Sequence, residues 1–93
     1  MPDSSSSIDA GIVIPCYNEG FRINKGLFKS FLKKNTNVIL LFVNDGSKDN
    51  TQEILSNIAH LTNVKLINFE KNLGKATAVQ IGVNALAGED VKY

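Results

Sequence analysis

The chain holds one cysteine, Cys16, one histidine, His60, and two prolines among its 93 residues. A lone cysteine excludes an internal disulfide, so cohesion must come from packing. No run of about 18 apolar residues is present to cross a membrane as a helix, and no apolar stretch near the start has the form of a secretory signal. These absences imply a soluble protein in a reducing setting, and the cytoplasm is the expected location. Net charge is scarce as well: ten basic residues against nine acidic ones leave +1, spread along the chain. Without a concentrated positive footprint, nucleic acid is excluded as a partner. Cys16 lacks a base that would make it a nucleophile, because His60 falls at the far end of a later helix. No Gly-x-Gly-x-x-Gly follows a strand. Gly74-Lys75-Ala76-Thr77 has the look of a phosphate-loop tail, but Phe69 stands where the motif's earlier glycine belongs.

What is present is a regular alternation. A chain of this length folds as one small domain that buries roughly 60–65% of its unfolded surface. Met1 to Asp9, with four consecutive serines, is too polar to pack and reads as a disordered leader or a cloning remnant, which leaves residues 10–93 as the folded domain. Ala10-Gly11-Ile12-Val13-Ile14-Pro15 is a short β-branched run closed by proline, hence a first strand. Ile23, Leu27, Phe28, Phe31 and Leu32 recur near the helical period behind the N-cap candidate Asn24, and Lys33-Lys34 suit the negative end of the dipole. Val38-Ile39-Leu40-Leu41-Phe42-Val43 reads as a strand buried on both faces. It runs into Asn44-Asp45-Gly46-Ser47-Lys48-Asp49-Asn50-Thr51, an acidic turn and a helix start, where Asn50-x-x-Glu53 can form a capping box. Ile54, Leu55, Ile58 and Leu61 share one face of that second helix.

Val64 to Phe69 alternates loosely, as an edge strand would. A third loop, Glu70 to Lys75, leads into a helix over Ala76 to Leu86. Its small residues Ala78, Gly82 and Ala85 would let it lie close against the sheet. Val91-Lys92-Tyr93 has the look of a further strand's first residues. The βαβαβα order predicts a three-layer α/β/α domain with a parallel sheet in the order 3-2-1. One side of the first strand would then lack a neighbour, so the sequence reads as a piece of a longer chain that would self-associate through that open side.

Three loops fall at the carboxyl ends of the strands, the edge where open α/β sheets bind ligands. Ile14-Pro15-Cys16-Tyr17-Asn18-Glu19, then Val43 to Thr51, then Asn72-Leu73-Gly74-Lys75 with Gly82 beyond it, resemble the opening signatures of family 2 glycosyltransferases of the GT-A fold. Arg22-Ile23 after Asn18-Glu19 is similar to the polyprenyl-phosphate glucosyltransferase branch. The resemblance implies the nucleotide-sugar-binding part of an inverting enzyme. In it Pro15 and Tyr17 would line the base pocket, Glu19 would sit beside the ribose or base, and Asp45 would bond the base of a UDP- or GDP-sugar. Gly46 and Ser47 would shape the turn, and Lys75 would approach the diphosphate, although helix N-terminal N–H groups could bind that anion unaided. An aromatic surface and a carboxylate acceptor at neighbouring strand ends suit a planar ring bearing an N–H.

The family's Asp-x-Asp motif, its Mg²⁺ or Mn²⁺ and its catalytic carboxylate would lie beyond Tyr93, so this stretch alone is expected to be inactive. Asp45-Gly46 can also be read as a bare turn, and Asn44 and Asp49 as turn and cap residues. The competing class is a non-enzymatic flavodoxin-like receiver or interaction module. It would need an acidic cluster after the first strand, where Pro15-Cys16-Tyr17 stands instead. The lysines of the first helix read as a solvated face, or as a surface near an anionic membrane in a longer parent.

Overall fold

The computed structural model describes residues 10–18 and 23–87. The leader, Glu19, Arg22 and Val91 to Tyr93 lie outside the described residues. Strands β1 (Ala10–Cys16), β2 (Val38–Asp45) and β3 (Val64–Phe69) alternate with helices α1 (Lys25–Lys34), α2 (Thr51–Ile58) and α3 (Lys75–Ala87). Both strand pairings are parallel and the sheet order is β1-β2-β3, the expected 3-2-1 read from the other side.

The apolar run of β2 puts side chains on both faces, and each face has its own core. Leu40 and Phe42 pack with Leu55 and Ile58 of α2 and with Phe28 and Leu32 of α1. Ile39, Leu41 and Val43 pack with Ala78 and Leu86 of α3. A strand sandwiched this way has no wet face, which is why its sequence does not alternate. Phe28 meets Phe42 edge to face, with ring centroids 5.1 Å apart, a geometry favoured by the ring quadrupoles.

Local signals explain most element boundaries. Asn24 caps α1 by accepting from the Leu27 N–H at 3.2 Å. At the other end, the Asn35 side-chain amide donates to the Phe31 carbonyl at 2.8 Å, satisfying an acceptor of the last turn. The capping box expected at α2 does not form. Asn50 makes no side-chain cap bond, and Asp49 accepts instead from the Thr51 N–H at 2.9 Å and from the Thr51 hydroxyl. The first free N–H of the helix is thus satisfied from the residue before the N-cap. Helix α2 also stops at Ile58, so Leu61 reaches the core from a following turn.

The small-residue face of α3 differs from expectation at one position. Ala78, Gly82 and Leu86 are the buried residues, and Ala85 is exposed. The face follows i, i+4, i+8 rather than turning towards Ala85. Gly82 is where the helix comes closest: a Cβ there would stand 2.5 Å from Val13 Cγ1 and 3.2 Å from Val43 Cγ2. Along the outer side of β1, Ile12, Leu27 and Phe31 stay exposed around a hollow of about 360 Å³ that Ile14, Phe28 and Leu40 also line.

Candidate donor-binding site at the carboxyl edge

The site begins with how β2 ends. Gly46 takes φ +69°, and a Cβ there would lie 2.3 Å from both Asn72 N and Lys71 C. Only glycine satisfies both demands. The backbone of the third loop is therefore laid directly over the turn that follows Asp45.

The Asp45 side chain, only 3% exposed, holds that loop in place. Its Oδ1 accepts from the Leu73 N–H at 2.7 Å, and its Oδ2 accepts from the Gly74 N–H at 3.1 Å and from the Asn72 side-chain amide at 3.2 Å. The same amide reaches the Asp45 carbonyl at 3.1 Å. These N–H groups lead into α3, so the carboxylate also faces the positive end of that helix. Oδ1 thus accepts one of these bonds and Oδ2 two.

A second set of bonds joins the first two loops. The Asn18 N–H donates to Ser47 Oγ at 3.0 Å, and Asn18 Oδ1 accepts from the Lys48 N–H at 2.8 Å. Beneath them Asn44, 1% exposed, accepts from the Ser47 N–H at 3.3 Å. It donates to Asn68 Oδ1 at 3.0 Å across the register position that pairs the two residues. No buried polar side-chain atom among the described residues is left without a partner.

Above this framework lies a cleft of about 150 Å³ lined by Pro15, Cys16, Tyr17, Asp45 and Lys75. Four of the expected site residues, Pro15, Tyr17, Asp45 and Lys75, thus meet at one place although they come from the end of β1 and the loop after it, the end of β2 and the start of α3. Tyr17 is 42% exposed, a ring on the rim rather than in the core. Cys16 is buried, and its thiol faces the Ile14 carbonyl at 3.7 Å. Gly46 and Ser47 are absent from the lining and support it from behind, as turn residues. Glu19 lies outside the described residues.

Sequence reasoning missed Asn18, Asn68 and Asn72, and treated Asn44 only as a turn residue. Their available signal was an asparagine at or just after the end of each strand, a side chain that can donate and accept at once. A hollow of about 390 Å³ lined by Lys29, Lys33, Leu61 and neighbours is larger, but it lies away from the carboxyl edge and from these polar groups. The cleft falls below the roughly 300–1,000 Å³ of a whole-ligand pocket, so it suits one part of a ligand. Among the described residues no cluster of three His, Cys, Asp or Glu side chains could hold a metal ion. None of their helices is long and apolar enough to cross a membrane.

The sequence model described as Glycosyl transferase family 2 matches residues 11–92. A dolichyl-phosphate beta-glucosyltransferase of Trichomonas vaginalis is 38% identical over 95 residues, which cover 92% of this chain and 28% of that protein. A poly-beta-1,6-N-acetyl-D-glucosamine synthase of Staphylococcus aureus is 31% identical, over 76% of this chain and 17% of that protein. Among solved structures, a mannosyltransferase from Pyrobaculum calidifontis in complex with GDP-Man and Mn²⁺ superposes with a TM-score of 0.70 at 20% identity. That match covers 91% of this chain and 26% of the other, and it supports the GT-A-like fold. The chain spans about a quarter of the length of such proteins.

Proposed function

The chain belongs to glycosyl transferase family 2, and from that premise we propose that its cleft takes the nucleotide end of a nucleotide diphosphate sugar in an inverting glycosyltransferase. The observation that supports this most is the meeting of Pro15, Tyr17, Asp45 and Lys75 around one hollow at the strands' carboxyl edge. Each group has a task. The Tyr17 ring, exposed on the rim, offers a face on which a base can stack. The Asp45 carboxylate accepts a ring N–H. Lys75, the first residue of α3, offers a cation to the diphosphate. Because Asp45 already takes the Leu73 and Gly74 N–H groups, the Lys75 side chain and the next N–H groups of the helix are what remain for that anion.

In this reading Glu19 sits beside the ribose or base, while Gly46 and Ser47 serve the site by fixing the turn. The donor is a UDP- or GDP-sugar. The described residues contribute binding and orientation, and the 93-residue chain alone binds the donor without turning it over. A divalent cation, Mg²⁺ or Mn²⁺, would neutralise the leaving diphosphate in the longer enzyme. Among the described residues no three His, Cys, Asp or Glu side chains gather to hold such an ion, and in this reading its ligands come from the longer enzyme. A cytoplasmic location, and attachment of the longer parent to a membrane, belong to the same proposal. So does self-association of this chain through the open side of β1. Calorimetry of the chain against UDP, GDP and their sugar conjugates tests the reading. Binding in the micromolar to millimolar range that Tyr17→Ala and Lys75→Ala each weaken supports it. Equal affinity in all three proteins contradicts it.

A further inference from the structure

Tyr17 is exposed on a loop, and a loop free to move would lose that freedom each time a base stacked on the ring. Ordering a loop on binding weakens affinity, and fixing it in advance recovers the loss. The residue after Tyr17 is built to do the fixing. Asn18 holds φ +51°, a left-handed conformation that asparagine tolerates better than most residues. Its main-chain N–H and its side-chain Oδ1 both cross to the second loop, to Ser47 Oγ and the Lys48 N–H. Ser47 is in turn bonded to buried Asn44, and Asn44 to Asn68, so the clasp is anchored in the sheet. Asn18 itself does not line the cleft.

Resting on the reading of the cleft as a nucleotide site, we propose that Asn18 is a positioning residue: its clasp to Ser47 and Lys48 presets Tyr17 on the rim and so sets donor affinity. Asn18→Gly keeps the backbone conformation available and removes the side-chain acceptor. Ser47→Ala removes the acceptor for the Asn18 N–H, and Ser47→Thr keeps it.

Two readouts on the full chain test this. Amide hydrogen exchange, which needs no ligand, should show the Lys48 amide less protected in Asn18→Gly and the Asn18 amide less protected in Ser47→Ala, with Leu40 to Val43 of β2 unchanged. Calorimetry with GDP and UDP should show both variants binding about three- to tenfold more weakly, with Ser47→Thr restored to the parent value. Lost protection with unchanged nucleotide affinity overturns the positioning role while leaving the site itself standing. Unchanged protection in both variants overturns the clasp. If the parent chain binds neither nucleotide at millimolar concentration, the reading of the cleft fails first and the positioning role falls with it.

Discussion

At the carboxyl edge of the sheet the polar side chains of Asn44 and Asp45 lie buried and bonded, whereas along the outer flank of β1 Ile12, Leu27 and Phe31 stand 40%, 69% and 37% exposed. Burial is thus inverted between the two regions: polar groups go inside where loops are stitched together, and apolar groups stay outside where none of the described elements covers them. Burying a polar group is tolerable only if its bonds are made, and here the Asp45 carboxylate accepts three N–H donors. The flank needs no such arrangement, because an apolar side chain left on the surface has no bond to satisfy. The stitched edge should therefore be intolerant of small changes, and the flank should tolerate large ones.

The greatest loss is expected at Gly46. Alanine there meets the third loop's backbone at 2.3 Å and must hold φ +69°, so Gly46→Ala should cost about 3 kcal/mol or more in urea unfolding. A cost below 1 kcal/mol would mean that the third loop does not press on this turn. Asp45→Ala comes next, at about 2–3 kcal/mol, since it removes the carboxylate's charge-assisted bonds to the part-buried Leu73 and Gly74 N–H groups. The same denaturation series, together with lost amide protection at both positions, checks it. Gly74→Ala separates the two demands met at Gly46. It too has positive φ, at +98°, but a Cβ there has no neighbour within 4 Å, so only conformational strain of about 1–2 kcal/mol is expected. If Gly74→Ala proves as damaging as Gly46→Ala, close approach is not what distinguishes the turn. The smallest effect belongs to the flank. Leu27→Lys should change stability by less than about 0.5 kcal/mol while reducing self-association in light scattering across a concentration series. A stability loss above 1 kcal/mol would show that the flank is covered after all.

The contrast between edge and flank also marks what could be seen in the sequence. The strands and the sheet order were legible because Val38 to Val43 is apolar on both faces and because the helical spacing of Phe28, Phe31 and Leu32 differs from strand alternation. The close approach of α3 was legible in Gly82, a residue that has little other reason to be in a helix. The small-residue face was misplaced at Ala85, since alanine packs or faces water with little energetic difference and so carries a weak signal. At α2, that Asp49 bonds the Thr51 N–H while Asn50 leaves its own cap bond unmade depended on turn geometry that residue types do not specify.

At the cleft, the meeting of Pro15, Tyr17, Asp45 and Lys75 at one edge was legible through residue type and motif. The asparagine bonds were not. Asn18 reaches Lys48 thirty positions away, and Asn72 reaches Asp45 across twenty-seven, pairings that only the folded chain defines. Nor did the sequence reveal that most of the Asp45 carboxylate's bonding capacity is taken up by the third loop.

The central claim, that three loops form one nucleotide cradle, is tested most directly by titrating the ¹⁵N-labelled chain with GDP and with UDP and following the amides by NMR. The account predicts shifts concentrated at Cys16 to Asn18, Asn44 to Ser47 and Asn72 to Ala76. Shifts confined to one of these loops, or gathered instead around Lys29, Lys33 and Asn63, would contradict it.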